Sequence, residues 1–275
     1  MHTSDVDSAY LRDLVETPSS NRSDPSSNTL FDTRVSPIAR LAGASRLHDF
    51  VNLLRSDRSA HLQRAVAEAI AVTETSFFRD PHLFDTLGTA VLPALIRLRA
   101  TTRRLRIWSA ACSTGQEAFS LAILLDHLLP QPSGWDIEIH GTDISSPAIE
   151  YAQRGHFRAN EIHRGLAPQL LAQYFTPQGE AWVIAPRIAS LCRFRVANLC
   201  VPLPPMPHFD LILLRNVLLY FSPADRTAVL TAMHRHLAPE GCLVLGGSEQ
   251  AEDSTRLFLP QVIGETYLYR SINAT

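Results

Sequence analysis

From about residue 104 onward the apolar positions gather in short runs separated by polar turns. LRIWSAA (105–111), WDIEIHGTDI (135–144), CRFRVANL (192–199), FDLILLRNV (209–217) and GCLVLGG (241–247) are short apolar runs that predict strands. Between them, 116–129, 146–154 and 223–237 carry helical spacing. Strands alternating with helices predict an α/β fold with a parallel, doubly wound sheet. ETYLYR (265–270) alternates and predicts a last strand, for which an antiparallel direction is open. The alternation breaks at about 160–191, where a short helix (166–175) precedes TPQGEAWVIAPRIASL, a stretch of hairpin character. This predicts a small β insertion on the sheet.

Upstream, the pattern is helical. SRLHDFVNLLRS (45–56) places Leu47, Phe50, Leu53 and Leu54 on one face, and HLQRAVAEAIAV (61–72) predicts another helix. Asp80-Pro81 supplies an N-cap and a first-turn proline for PHLFDTLGTAVLPALIRLRA (81–100), and Pro93 within it predicts a kink or split. Residues 1–36, with the polar SSNRSDPSSN (19–28), have little periodicity and predict a disordered tail. The expected organisation is a tail (1–36), a small helical domain and linker (37–99), and a sheet domain (100–275).

Hydrophobic residues make up 45% of the 275, ordinary for a chain with a real core. A net charge of −2 disfavours a nucleic-acid partner on bulk charge. No uncharged apolar stretch reaches the ~18 residues of a membrane helix, and MHTSDVDSAY does not resemble a signal peptide. A cytoplasmic protein with no membrane insertion is expected. Cys112, Cys192, Cys200 and Cys242 form no CxxC pair, which argues against a zinc site; buried thiols in a reducing compartment are the expectation. No metal is expected.

The candidate chemistry begins in RIWSAACSTGQEAFSLAILL (106–125), a strand that turns at the single glycine Gly115 into a helix. Such a turn often holds a phosphate, but no second or third glycine and no Lys-Ser/Thr pair follows. Asp143 ends the next strand, where an acid can accept hydrogen bonds from both ribose hydroxyls. A nucleoside without phosphate fits, and S-adenosylmethionine is the common one. Taken alone, Asp143 reads equally as a helix cap. Glu117, in the first helical turn, reads either as a favourable charge on the helix dipole or as an acceptor for a ligand's ammonium. TETSFFRDP (73–81) joins the helical region to the sheet, so Phe77 and Phe78 read as core and Arg79 as either a solvated or a cleft-facing charge. Arg215 and Asn216 interrupt FDLILLRNVLLYF (209–221) at the carboxyl end of a strand, where open α/β sheets bind ligands.

Taken in order, TETSFFRD, RIWSAACSTGQEAFSLA, GTDIS, QRGHF (153–157), the QYF of LLAQYF (170–175), VANL (196–199), FDLILLRNVLLYF and LVLGGSE (243–249) resemble the CheR-type chemotaxis receptor methyltransferases. The likeness covers roughly 73–250 and is weaker from about 33. It implies a Rossmann-like methyltransferase sheet with a small N-terminal helical domain, and methyl transfer from S-adenosylmethionine to receptor glutamates. It implies cofactor contacts from Thr73, Thr75, Arg79, Glu117, Asp143, Asn198, Leu199, Arg215 and Asn216. It places Tyr220 beside the transferred methyl, with Arg79 near the active centre, and makes 160–191 the receptor-contacting β-subdomain. Partners implied are methyl-accepting chemotaxis receptors or similar helical signalling proteins.

The sequence departs from the family pattern at Gln116, which stands where an acid is usual, at Leu214, and at Pro37, which interrupts the basic stretch carrying Arg34, Arg40 and Arg46. Two other readings stay open. One is a methyltransferase for another protein or a small-molecule carboxylate; the other is a non-catalytic domain that binds the cofactor and regulates a partner.

Overall fold

A computed structural model describes residues 36–44, 47–54, 62, 66, 74–129, 134–251 and 257–272. Residues 1–35 of the tail expected at 1–36, most of the helix expected at 61–72, and Arg34, Arg46 and Thr73 lie outside the described residues, while Ser36 is helical. The described residues divide into two compact units: those of Met1–Val72 with Leu219–Phe221, and those of Thr73–Leu218 with Ser222–Thr275.

In the first unit, α1 (Ser36–Leu41) carries Pro37 in its opening turn, where a missing N–H costs nothing. Within the described residues Pro37 is the second residue of a helix of six. In α2 (Leu47–Leu54) the core face is Phe50, Val51 and Leu54, all fully buried, whereas Leu53 is exposed. The expectation that Leu53 faces the core is corrected by helical geometry: positions 50, 51 and 54 share a stripe that 53 leaves.

The second unit opens with α3 (Pro81–Thr86), a π-helical turn (Leu87–Val91) and α4 (Leu92–Leu98). Pro93 is accommodated by that wider turn just upstream, closed by the Leu92 N–H donating to the Leu87 carbonyl. Then come β1 (Arg104–Ala110), α5 (Gln116–Leu128), β2 (Asp136–Asp143) and α6 (Ser146–Arg154). A three-stranded antiparallel sheet follows, built from β3 (His156–Arg158), β4 (Phe175–Gln178) and β5 (Ala181–Ile184) in the order β3-β5-β4. The short helices α7 (Ala159–Ile162) and α8 (Pro168–Tyr174) lie between β3 and β4 in sequence, and α9 (Pro186–Ala189) follows β5. The chain returns with β6 (Cys192–Val196), β7 (Phe209–Leu214), the 3-10 turn Leu218–Tyr220, α10 (Pro223–His236), β8 (Leu237–Leu245), β9 (Phe258–Ile263) and β10 (Thr266–Ser271).

The main sheet runs β6-β2-β1-β7-β8-β10-β9. Strands β6, β2, β1, β7 and β8 are parallel; β10 is antiparallel to β8 and to β9. The order reverses direction at β1, so the crevice outside the carboxyl ends of β1 and β7 is the switch point of the fold. Both faces of β1 are covered. Ile107 packs in one core with Phe119 and Leu121 of α5, while Trp108 meets His236 of α10 edge-on at 5.7 Å. Coverage on both sides explains why β1 and β7 read as continuous apolar runs and not as alternating ones.

Two strand expectations are corrected. The strand expected at 241 starts at Leu237 and crosses Pro239 beside a register shift against β7. The edge strand β9 was not expected, because Pro260 demotes its run; an edge tolerates the missing N–H.

Candidate active site

The turn after β1 is set by its backbone. Gly115 caps α5 at φ 95°, and an added Cβ would stand 2.9 Å from the Ala152 Cβ of α6. Ala111 and Ser113 hold φ of 61° and 51° without glycine's freedom. Phe78 (49°), Asp80 (65°) and Asn216 (56°) do likewise. Five of the seven non-glycine residues with positive φ among those described thus fall in three segments at the sheet's switch point. Left-handed backbone at ordinary residues persists only where the surroundings over-determine it, and it gathers at functional sites.

Asp143 ends β2 and is buried. Its Oδ1 accepts from the Ser145 N–H at 2.9 Å and its Oδ2 from the Ser113 N–H at 2.8 Å. Burial raises its pKa, and the hydrogen bonds from Ser145 and Ser113, with the Ile144 N–H beside them, pull the other way. Each oxygen keeps a lone pair for a second donor. Asn198 and Leu199 follow β6 at the same end of the sheet, joined to the β2 tip by the Ala197 N–H donating to the Asp143 carbonyl at 2.9 Å. The Asn198 side chain accepts from the Cys200 N–H at 2.9 Å, and Leu199 is buried.

A second group gathers at the tip of β7. Arg215, whose side chain is 2% exposed, donates from Nη1 to Glu117 Oε2 at 2.7 Å. Its Nη2 donates to the Arg79 carbonyl at 3.1 Å and to Asp80 Oδ2. Among the described residues the buried Arg215 Nε finds no partner. Glu117 Oε1 accepts from the Ser109 hydroxyl at 2.7 Å, so this carboxylate joins β1, α5 and β7. The segment before α3 is pinned a second time: the Phe78 N–H donates to Ser120 Oγ at 2.9 Å, and that hydroxyl donates to the Gln116 carbonyl at 2.7 Å. Phe77 is fully buried and packs edge-on against Phe157 and Phe175. Among the described residues the Arg79 side chain makes one long bond, Nη1 to the Glu74 carbonyl at 3.2 Å.

The expected N-cap role of Asp80 is corrected here. Its side chain makes no cap bond, because its left-handed backbone turns the carboxylate to Arg215 instead. Asp80, Ser109, Ser113 and Glu249 are site residues to which the sequence reading gave no such part. Ser109 was visible as a hydroxyl inside an apolar strand, and Glu249 as the last residue of LVLGGSE. Of the residues expected in the site, Arg79, Glu117, Arg215 and Asn216 are brought to the tips of β1 and β7, and Asp143, Asn198 and Leu199 to the tips of β2 and β6. Thr75 lies half-buried in the segment leading to Arg79. Tyr220 ends the 3-10 turn that follows Asn216 in sequence, is 39% exposed, and groups with the first unit.

Two carboxylates, Asp143 and Glu117, flank the β1–α5 turn. A polyphosphate would meet like charge here, whereas a nucleoside carrying a sulfonium and an ammonium meets opposite charge and ribose acceptors. The residues present therefore fit S-adenosylmethionine. Cys112, also at this turn, is held protonated: burial, then Asp143 and Glu117, push its thiol well above the ordinary range. Asp80 and Arg215 also line a cavity of about 450 Å³, with Gly246, Glu249, Tyr267 and Tyr269 among its walls.

Residues 73–265 match the family model described as "CheR methyltransferase, SAM binding domain". Chemotaxis protein methyltransferase 1 of Pseudomonas aeruginosa is 35% identical over 224 residues, 80% of this chain and 81% of that one. Chemotaxis protein methyltransferase Cher2 of Pseudomonas putida is 32% identical over 253 residues, 90% of this chain and 92% of that one. The Escherichia coli chemotaxis protein methyltransferase is 31% identical over 225 residues, covering 80% and 75%. Sheet, strand-tip carboxylates and family model together define a methyltransferase whose cofactor is S-adenosylmethionine. Within that class, the chain belongs to the CheR methyltransferase family.

Proposed function

We propose that this protein forms methyl esters on glutamate side chains of chemotaxis-type receptors. The observation that carries the reading is the Arg215 clamp, which ties Glu117 and the Arg79 backbone to the tip of β7. The relatives named as chemotaxis protein methyltransferases support the choice of substrate.

When bound, S-adenosylmethionine supplies a methyl group on a positive sulfur, open to in-line displacement. A glutamate carboxylate has an ordinary pKa of about 4.3 and is already ionised near neutral pH, so no general base is required. The chain's work is to hold the partners in line, an effect that can lower a barrier by ~7–11 kcal/mol. Asp143 accepts from the ribose hydroxyls, Glu117 from the ammonium, and Asn198, Leu199, Arg215 and Asn216 complete the cofactor contacts. Thr73 and Thr75 belong to the same set. Arg79 and Tyr220 hold the incoming carboxylate, offsetting the cost of stripping its water without taking its proton. The ester carries one negative charge less than the acid, which changes the electrostatics of the receptor helix that bears it. The three-stranded sheet is the part of the chain we assign to receptor contact.

The test is incubation with labelled methyl donor and a receptor cytoplasmic fragment. The expected result is label on the fragment that mild base releases as methanol, absent when the fragment's glutamates are replaced by alanine. Base-stable label, or label only on other proteins, overturns the reading.

A further inference from the structure

We propose that Glu249 is a positioning residue for the cofactor site, acting through the turn that begins at Arg215. Its carboxylate is buried and accepts four backbone N–H groups. Oε2 accepts from Asn216 at 2.7 Å and from Gly246 at 2.8 Å; Oε1 accepts from Val217 and Leu218, each at 2.8 Å. Three successive N–H groups converge on one anion because Asn216 sits in the left-handed region at φ 56°. A run of this kind forms an anion-binding concavity. Here the anion is the chain's own, delivered from the loop after β8.

The fit around the carboxylate is close. A Cβ added at Gly246 would lie 2.6 Å from Glu249 Oε2 and 3.0 Å from the Asn216 nitrogen. Only a glycine lets the loop bring Glu249 this near. The turn it fixes is the one from which Arg215 reaches Glu117 and Asp80, and from which the Asn216 side chain projects. Four buried donors would be orphaned without the carboxylate, so the left-handed residue would lose what holds it. An amide cannot substitute. Gln has the same shape, but it presents an NH2 to two of the four N–H groups. A packing role would tolerate that change; an acceptor role does not.

The inference rests on the reading that Arg215 and Asn216 contact the cofactor, and the test separates the two. Binding of S-adenosylhomocysteine is measured calorimetrically for the full chain, Glu249→Gln, Asn216→Ala and their double variant, at a temperature where circular dichroism shows each folded. Leu230→Ala, a buried change in α10, is the control for lost stability. Glu249→Gln is expected to raise Kd at least tenfold. Leu230→Ala, with an equal or larger fall in Tm, should leave Kd within twofold. The double variant should bind about as weakly as the weaker single. A wild-type Kd in Glu249→Gln overturns the inference whatever Asn216→Ala does. So does an equal loss in Leu230→Ala or, where both single variants weaken binding, full multiplication of their effects. A wild-type Kd in Asn216→Ala beside a weakened Glu249→Gln removes Asn216 from the cofactor reading and supports Glu249 acting through Arg215.

Discussion

Arg215 and Glu117 lie 98 residues apart and meet at 2.7 Å, joining the tip of β7 to the first turn of α5. The contact is nearly dry: the Arg215 side chain is 2% exposed and that of Glu117 is 13% exposed. Such a pair adds little over a well-packed apolar substitute, but removing one partner leaves the other buried and unpaired.

Arg215→Ala is therefore expected to lower stability by ~3–5 kcal/mol, most of it from stranding Glu117. The bond to Asp80, whose side chain is 53% exposed, contributes little of that. Urea unfolding checks it. A loss below ~1 kcal/mol, the level of a surface pair, would show that the clamp does not hold the crevice together.

Arg79→Ala should behave in the opposite way. The Arg79 guanidinium makes one long bond to a carbonyl, while its backbone is held by Arg215 and its neighbour Phe78 by Ser120. Unfolding should be nearly unchanged. If the guanidinium faces the reacting carboxylate, methyl transfer should fall by about 100-fold or more, as when a single oriented donor is removed from an active site. Normal turnover would remove Arg79 from the site.

How much of this was legible depended on where the information sat. Parallel strands buried on both faces, such as β1 and β7, announce themselves as apolar runs, and Arg215 and Asp143 stood out as charges at the ends of β7 and β2. The family motifs named the other candidates, but not Asp80, Ser109, Ser113 or Glu249. What the sequence concealed was backbone hand. Asp80 before Pro81 has every feature of an N-cap, and only its φ of 65° sends the carboxylate to Arg215. The same holds at Asn216, where the left-handed turn makes three N–H groups converge on Glu249; nothing local in residues 214–218 shows it. Strand β9 was hidden because Pro260 is a strand breaker everywhere except at an edge or bulge.

Asp143→Ala tests the ribose contact. Both Asp143 oxygens already accept one N–H and retain capacity for one hydroxyl each. Hydrogen bonds to a charged acceptor contribute ~1.5–3 kcal/mol each, so losing two should weaken S-adenosylhomocysteine binding by at least about 100-fold. Calorimetry giving the wild-type affinity would refute the assignment. Asp143→Asn should lie between, because one amide end still accepts.

His140 predicts how the fold answers mild acid. It lies on β2 against Phe209, with Nδ1 unpartnered among the described residues and Nε2 at 3.2 Å from Glu138. Burial lowers its pKa below the usual 6.5; Arg195 and Arg106 push the same way, and Glu138 opposes them. The folded protein then binds fewer protons here than the unfolded chain. The stability due to neutral His140 is fully present above the unfolded pKa, declines as pH drops below it, and is gone once pH has passed below the depressed folded value. His140→Phe removes this dependence while keeping a ring against Phe209. Between about pH 7.5 and about pH 5, the wild-type Tm should fall more steeply than that of the variant. Parallel curves would mean that His140 takes up its proton equally in both states, and that its burial in the sheet carries no acid penalty.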